Sequence, residues 1–495
     1  MNKRIRAILF SISITISTTM LIALVEGVLF YIYSILTGNL VELEASNRFI
    51  LIVVTISIPS ILISISLRGS ALTEIEDAII AISIAWIAIP AINAFIYSYT
   101  VGIDYIDGFF ESLSGFTGTG LTIFSRPEDL PYTILIWRAT TQWIGELGVI
   151  VFSVALLPYI HRVLGRIYLA ERGVRLGPTI LSTTRRLLTI YLFLTFTGVL
   201  MLMMSGMNFL DAVAHSMTGI ATGGMSTNSQ NIGFWYNIAG YRVLLTSVII
   251  MVFGALNFAD LHNLFRGKVK KFLRSPEVKW FFYITLFLLA TVIAIVIICY
   301  GFDIELIGLA IYNTISGLTT TGFQVGYIGK EYSEILKLVI VIAMAIGGAT
   351  FSTAGGIKIK RIIIALKALG WSFAKPFLPE KAYFVKRVGE EVIDEENIAS
   401  TYAYIVLYML TAITISVLLY ITLNLSGYVW SRNYIDALFE TVSALSCVGL
   451  TTGITSISMP IQAKVLLMVA MYFGRLEFSP LYIVIGYRYR SKMIL

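Results

Sequence analysis

Residues 316–324 read SGLTTTGFQ, a small and polar stretch in a chain that is otherwise strongly apolar. The 495 residues are 57% hydrophobic and only 13% charged, with a mean hydropathy of +0.84. Soluble domains carry about 25% charged residues, so this composition indicates a protein that crosses a membrane several times. At membrane depth, irregular backbone persists only where protein buries it or where it lines a water-filled path.

Apolar runs long enough to cross a bilayer recur along the whole chain. The first run is longer than the core of a signal peptide, so we interpret it as an uncleaved first span. Most of the 36 Lys and Arg residues fall in segments that are cytoplasmic if the N-terminus is cytoplasmic, which predicts a multi-pass protein with both termini in the cytoplasm. We attribute the basic loops to orientation and membrane lipid contact rather than to nucleic acid. The predicted spans are 7–36, 49–67, 76–98, 133–158, 187–206, 240–262, 279–300, 334–358, 400–425 and 461–486.

The opening stretch has three relatives in the outer loops. The four copies are FFESLSGFTGTGLT (109–122), VAHSMTGIATGGMS (213–226), IYNTISGLTTTGFQ (311–324) and LFETVSALSCVGLT (438–451). Without gaps they align a glycine in register, at Gly120, Gly224, Gly322 and Gly449. Each copy lies between two predicted spans, so the sequence predicts an all-α fold of two leading helices and four repeated units. The predicted boundaries are 1–70 for the leading helices and 71–160, 161–265, 266–374 and 375–495 for the four units.

The segment before each glycine is polar, about a dozen residues long and typical of a short helix. At about 1.5 Å per residue it enters a bilayer of roughly 30 Å but does not cross it. Beyond it the chain returns as extended backbone, and glycine permits the dihedrals that turn successive carbonyl oxygens toward one axis. Four such loops predict rings of oxygens that replace the water shell of an alkali cation. Ordinary outer turns explain one such loop better, but four copies in register favour a pore. The candidate filter residues are Thr117, Gly118, Thr119, Gly120, Ala221, Thr222, Gly223, Gly224, Thr319, Thr320, Thr321, Gly322, Ser446, Cys447, Val448 and Gly449.

With these loops, RATTQWIGELGVIVFSVALLP (138–158) and MYFGRLEFSP (471–480), the chain resembles the Trk/Ktr/HKT superfamily of cation transporters. The two leading helices favour its TrkH-like branch, found in the inner membrane of prokaryotes. The resemblance implies four potassium-channel-like units around one pore and potassium as the transported ion, because glycine stands at the marked position of all four loops. The fourth loop departs most, with LSCVG, which predicts modest potassium/sodium discrimination. The family also implies a homodimer and a TrkA-like nucleotide-binding subunit, for which the basic loops 159–186, 263–279 and 358–398 are the expected docking face.

The span after the third loop is interrupted by GGATFSTAGGIKIKR (347–361). Four glycines in ten residues disfavour a continuous helix, and two interpretations remain: a kink for close packing, or an unwound loop that gates the pore, as the resemblance implies. Arg475 is predicted within the last span, where a charge needs polar partners; it is either a barrier to cations near the gate or part of a structural ion pair, with Glu146 the candidate partner. The candidate gate residues are Gly347, Gly348, Thr350, Ser352, Thr353, Gly355, Gly356 and Arg475.

Other functional classes find little support in the sequence. Two distant cysteines and three scattered histidines provide no disulfide framework or metal-ligand spacing, and no catalytic cluster or nucleotide motif indicates an enzyme or an organic cofactor. The alternatives to potassium uptake are a sodium-permeable transporter and a cation-coupled secondary transporter, whose broken helices look similar. Five outer acidic residues either concentrate cations at the pore mouth or simply keep the loops soluble: Asp104, Asp107, Glu111, Glu128 and Asp129.

Overall fold

A computed structural model of the chain describes residues 3–70, 72, 75–148, 180–377 and 385–478. Four predicted segments lie partly outside these residues: the spans 133–158 and 461–486 and the basic loops 159–186 and 358–398. The chain begins with two long helices, Lys3–Thr37 and Leu40–Ser66, which pack against each other through small hydroxyl residues. Ser17 donates to Ser60 over 3.1 Å between these helices. Such side-chain bonds help to hold helices together in lipid.

Four units of the same design follow, each with a leading helix, a short pore helix, an extended loop and a trailing helix. The leading helices are Ile75–Val101, Ile180–Met204, Pro276–Tyr300 and Glu395–Leu425. The pore helices are Tyr105–Phe116, Phe209–Ile220, Ile304–Leu318 and Tyr434–Leu445. The trailing helices are Tyr132–Leu147, Tyr241–Ala255, Glu334–Ile346 and Ile461–Arg475. This repeated order confirms the predicted all-α fold of four helix–pore loop–helix units after two leading helices.

The pore helices are too short to cross a bilayer. Three have 12 residues and the third has 15, so at about 1.5 Å per residue they reach roughly 18–23 Å. Each carries an acidic residue in its first turn, where the positive end of the helix dipole favours it. The carbonyl end of each helix leads directly into the loop that contains the marked glycine.

Among the described residues, six helices are long and apolar enough to span a membrane, or seven if one bent pair counts as a single span. That pair corrects the sequence prediction, because the span expected over 240–262 is not continuous. The helix ends at Ala255, and the next helix, Phe258–Phe265, turns from it by 111°. Asn257 starts the second helix, since its side chain accepts a hydrogen bond of 2.8 Å from the Ala259 amide.

The third trailing helix also stops early, in agreement with the predicted interruption. Residues 347–358 are not helical, and a helix resumes at Ile359–Ala374. The remaining described elements are the short helices Ile232–Ala239, Val269–Arg274 and Ile328–Glu331, the 3-10 turns Pro127–Asp129 and Lys375–Phe377, and a two-stranded sheet of Arg387–Val388 and Glu391–Val392.

Candidate ion filter and gate

The four marked glycines lie in one closed ring. A Cβ atom added to any of them would overlap the carbonyl oxygen of the residue that precedes the marked glycine in the next loop. These contacts run from Gly120 to Gly223, from Gly224 to Thr321, from Gly322 to Val448 and from Gly449 back to Thr119. Because the fourth contact returns to the first loop, the four loops surround a common centre, and no side chain fits at any of the four positions.

The backbone of the loops alternates in handedness. The first residue of each loop ends its pore helix at a negative φ. The second and fourth residues are left-handed: φ is +69° at Gly118, +50° at Thr222, +52° at Thr320 and +53° at Cys447, and +84°, +69°, +86° and +94° at the marked glycines. Alternating handedness turns successive peptide carbonyls toward the same side. Three of these left-handed residues carry a side chain, which costs about 1–3 kcal/mol each and requires the surroundings to hold them.

The threonine hydroxyls of the loops brace the backbone. Thr117 and Thr119 share a hydrogen bond of 2.8 Å, and Thr319 and Thr321 share one of 2.9 Å. Thr320 instead bonds the interrupted segment of the third unit, because its hydroxyl accepts a 2.7 Å bond from the Gly355 amide. The hydroxyls therefore support the loops, and the backbone oxygens remain the atoms best placed to meet an ion.

One buried polar side chain in each pore helix forms hydrogen bonds with the part of its own loop that follows the marked glycine. Glu440 accepts the amides of Thr452 at 3.1 Å and Thr455 at 3.0 Å. The equivalent bonds join Glu111 to the Ile123 amide (3.1 Å), His215 to the Ser226 hydroxyl (2.9 Å) and Asn313 to the Val325 amide (3.0 Å). All four side chains are fully buried. They fix the distance between pore helix and loop behind the ring of glycines.

Further bonds join neighbouring loops to each other. Gln142 donates to the Gly223 carbonyl over 2.7 Å and accepts the Met225 amide at 3.0 Å, so the first unit holds the loop of the second. Gln324 of the third loop accepts the Thr451 amide of the fourth at 3.0 Å. Arg138 bonds Glu111 at 2.7 Å and the Ser226 carbonyl at 3.0 Å. These residues are structural supports of the ring.

Buried ion pairs connect the units, and two of the five acidic residues belong to such pairs, which neither of the two interpretations of these residues anticipated. Lys337 bonds Asp436 at 2.7 Å, and Lys464 pairs with Asp107. Because Asp107 and Glu111 are buried in ion pairs, they are not mouth carboxylates. Asp104, Glu128 and Asp129 are exposed. Above the ring lies an open cavity of about 990 Å³, lined by residues of all four loops, among them Gly120, Gly224, Gln324 and Gly449.

The interrupted segment of the third unit, residues 347–358, lies directly beneath the ring. A Cβ atom on Gly355 would overlap the carbonyl oxygen of Ser446, the first residue of the fourth loop. Thr353 donates to the Ile220 carbonyl at 2.9 Å, at the end of the second pore helix. With the Thr320–Gly355 bond, the segment contacts three of the four loops from below.

Tight turns shape this segment. Gly347 and Gly356 have φ of +71° and +77°, and each lies against the other's Cα atom. The Ser352 hydroxyl bonds the Ala349 carbonyl at 2.6 Å within the segment, and Thr350 bonds Glu277. Gly348 packs against Ala354 and the Ala255 carbonyl. The segment is thus a compact loop whose two ends touch, rather than a kink in one helix.

Arg475 lies at the end of the last described helix, with its side chain 8% exposed. Its guanidinium bonds the Glu146 carboxylate at 2.9 Å and the Gly145 carbonyl at 2.7 Å, and its Cζ atom lies 4.7 Å from the centre of the Trp86 ring. The structure therefore places the candidate partner Glu146 against Arg475. Glu146 also lies beside the first loop, because a Cβ atom on Gly118 would overlap its carboxylate. Glu477, just beyond the helix, pairs instead with Arg361.

Among the described residues, no group of three His, Cys, Asp or Glu side chains is arranged to hold a metal ion. Comparison with known proteins shows that the sequence model of the TrkH family, described as cation transport proteins, matches residues 45–493. The chain belongs to the TrkH family. This is a family of membrane transporters of cations rather than a class of enzymes.

Two curated relatives illustrate how far the similarity of this TrkH-family chain extends. An uncharacterized cation transporter of Methanocaldococcus jannaschii is 31% identical over 84% of the chain and 83% of its own length. The Trk system potassium uptake protein TrkH of Escherichia coli K12 is 28% identical over 81% of the chain and 83% of its own length.

A solved structure has the same fold. The crystal structure of the potassium transporter TrkH from Vibrio parahaemolyticus superposes with a TM-score of 0.75 and 24% identity. The match covers 95% of this chain and 98% of that one.

Sequence reasoning missed several residues that shape this site. Gln324, Asn313 and Glu277 support the loops or the interrupted segment, and the sequence analysis assigned none of them to the site. For Asn313 a signal existed, because it occupies the register of Glu111, His215 and Glu440 in the four copies. For Glu277 the sequence offered none, since its partners come from residues 257 and 350.

Proposed function

We propose that the chain takes up potassium ions across the cell membrane through a filter formed by the sixteen candidate residues of the four loops. The observation that carries this proposal is the closed ring of Gly120, Gly224, Gly322 and Gly449, with alternating backbone handedness in each loop. Backbone oxygens arranged around one axis replace the water shell of a dehydrated potassium ion. Several curated relatives are named potassium uptake proteins, which supports the choice of ion.

The driving force in this proposal is the membrane potential. An inside-negative potential contributes about 2.3 kcal/mol per charge for each 100 mV. That is enough to concentrate potassium without a nucleotide site in this chain. The fourth loop has Cys447 and Val448 where the third has two threonines, so the backbone oxygens there have fewer hydroxyl braces. We therefore expect modest discrimination between potassium and sodium.

The gate in this proposal consists of residues 347–356 together with Arg475. The segment lies against the first residue of the fourth loop and bonds Thr320 of the third, so an ion leaving the filter meets it at once. Arg475 adds a positive charge beside Glu146, whose carboxylate lies against Gly118 of the first loop. Opening requires the segment to move away from the filter.

The proposed setting is the inner membrane of a prokaryotic cell, with both termini in the cytoplasm. A homodimer and a TrkA-like nucleotide-binding subunit are the proposed partners. In the proposed topology, the described basic residues at 266–274 and the gate both lie on the cytoplasmic side of the filter. This position suits binding of a cytosolic partner. Regulation by nucleotides would then reach the pore through this docking face.

Ion flux into liposomes tests the function directly. The purified protein is reconstituted under a potassium gradient with no other solute, and potassium entry is followed with and without an imposed potential. Entry that follows the potential supports uptake through a filter. Transport that requires an added organic solute or a proton gradient would instead support the coupled secondary transporter, and equal entry of sodium would support the sodium-permeable alternative.

A further inference from the structure

The bend in the second unit and the gate segment (residues 347–356) complete each other's backbone hydrogen bonds. Bending the helix after Ala255 removes the partners that a continuous helix would provide. The Ala349 amide donates to the Ala255 carbonyl at 2.9 Å, and the Phe258 amide donates to the Phe351 carbonyl at 3.0 Å. Within the membrane, such groups need partners from the protein. The gate segment is therefore bound to the backbone of the bend. We call the bend (residues 254–258) the elbow.

A single carboxylate joins the gate segment to this elbow. Glu277 lies in the first turn of the third leading helix and is only 8% exposed. One of its oxygens accepts both the Thr350 amide, at 2.8 Å, and the Thr350 hydroxyl, at 2.6 Å. The other accepts the side-chain amide of Asn257 at 2.7 Å. Three segments that are far apart in sequence meet on this one group.

We propose that Glu277 is the latch that holds the gate segment in the elbow, an inference that rests on the proposed gate. A buried carboxylate is costly without its hydrogen-bond donors, so Glu277, Thr350 and Asn257 move together or separate at a penalty. Hydrogen bonds to charged groups are among the stronger ones in proteins. The closed position of the segment is thereby favoured over any position in which Thr350 has left the elbow.

The chain between the elbow and Glu277 gives the latch a route for regulation. Residues 258–276 run from the elbow to the start of the third leading helix and carry the basic residues Arg266, Lys268, Lys270, Lys271 and Arg274. Two short helices, Phe258–Phe265 and Val269–Arg274, make up most of this connection. A cytosolic partner with an acidic surface that displaces this connection would shift Asn257 and Glu277 relative to each other. The latch would open without any contact between the partner and the gate itself.

Replacing Glu277 tests the latch, with Glu44 as the matched control. Glu44 lies near the start of the second helix, where its carboxylate pairs with Arg48 and is 66% exposed. We expect Glu277→Ala to raise potassium flux into liposomes by more than tenfold, because it removes both bonds to Thr350 and the loss of one hydrogen bond to a charged group corresponds to about tenfold, with the potassium/sodium ratio unchanged. Glu44→Ala should leave the flux at the level of the unmodified protein.

A second background separates the latch from the gate. In a variant that lacks residues 347–356, flux should be high already, and Glu277→Ala should add nothing to it. If that deletion has no effect on flux, the gate itself is refuted. Two other outcomes would refute the latch while the gate stands. In one, the deletion raises flux but Glu277→Ala alone does not; in the other, Glu277→Ala raises flux further in the deletion variant.

A milder variant covers a failure of Glu277→Ala to fold. Thr350→Val removes the hydroxyl bond and keeps the amide bond, so we expect a smaller rise than for Glu277→Ala, of up to about tenfold. An unchanged flux in a monodisperse Thr350→Val protein would then count against the latch.

Discussion

Gly120 adopts φ of +84°, and any Cβ atom there would overlap the carbonyl oxygen of Gly223. A left-handed backbone costs a residue with a side chain about 1–2 kcal/mol, and the overlap adds to this cost. Gly120→Ser should therefore move the first two loops apart. We expect the potassium/sodium permeability ratio to fall on the order of tenfold, measured by competitive uptake of the two ions into liposomes.

Gly102 provides the matched control for this change. Its φ of +81° is nearly the same, but no atom lies within 4 Å of an added Cβ. Gly102→Ser thus introduces the same backbone strain away from the ring and should leave the ratio unchanged. An equal loss of selectivity in both variants would show that strain alone, and not the ring, determines the result.

Arg475 and Glu146 form a buried pair, so their replacements distinguish the two interpretations of Arg475. Arg475→Ala removes a positive charge near the gate and leaves the Glu146 carboxylate, which attracts cations; we expect higher basal potassium flux. Glu146→Ala leaves the guanidinium charge uncompensated, and we expect lower flux. Liposome flux measures both variants. If Arg475 serves only to hold the helices together, both variants should lose flux and thermal stability alike, since breaking a buried pair costs about 3–5 kcal/mol.

Single residues of the filter could be predicted from the sequence only in part. The fourth position of each loop was found because glycine marks it in all four copies. The second position is equally left-handed, yet Thr222, Thr320 and Cys447 occupy it, and nothing in their side chains indicates that backbone. Their conformation is imposed by the surrounding loops, as strained residues at functional sites commonly are.

The gate segment is an element whose two ends touch, which makes its removal a clean experiment. Gly347 and Gly356 lie against each other, and the Ile357 amide donates to the Ala345 carbonyl at 2.9 Å. Joining Ile346 to Ile357 after deletion of residues 347–356 therefore requires little movement of the flanking helices. We expect potassium flux to rise, because the barrier beneath the filter is gone. A well-folded deletion variant without flux, as judged by its elution as a single species in detergent, would contradict the gate.

The two breaks in trailing helices differ in how well the sequence revealed them. The break at 347–358 was predicted, because four glycines within ten residues disfavour a helix. The elbow near Asn257 was missed, because the sequence there has no proline and the apolar pattern continues across it. Its bend depends on long-range bonds to residues 349–353, which no local pattern contains. The same holds for Glu277, whose partners are distant in sequence.

At the scale of the whole molecule, the repeat in the sequence predicted the order of the four units but not how they are joined. The aligned copies place Asp107, Asp211, Leu309 and Asp436 at equivalent positions of the pore helices. Lys337 reaches from the third unit to Asp436 of the fourth, and Lys464 reaches from the fourth to Asp107 of the first. Two junctions are thus ionic. Lys337 and Lys464 each lie ten residues before a glycine near the end of a trailing helix, Gly347 and Gly474. In the second unit the corresponding glycine is Gly254, and the residue ten positions before it is Leu244.

The junction of the second and third units therefore has leucines where the two ionic junctions have an ion pair, which suggests an exchange. Lys464→Leu alone leaves the buried carboxylate of Asp107 without its cation and should lower the free energy of unfolding by about 3–5 kcal/mol. The double variant Lys464→Leu, Asp107→Leu should recover most of that loss, although the Ile457 carbonyl also loses the 2.7 Å bond from Lys464. Leu244 and Leu309 both pack in the hydrophobic core, so leucines are already accommodated at such a junction.

Thermal unfolding in detergent, followed by tryptophan fluorescence, measures these effects. Arg48→Leu, which breaks the exposed pair of Arg48 with Glu44, is the control and should change stability by less than about 1 kcal/mol. A double variant no more stable than Lys464→Leu alone would show that the ionic junction is required by the closed ring of units. Recovery in the double variant would show instead that the ring tolerates either chemistry at its junctions, so that packing between the units, rather than charge, keeps the four loops around one centre.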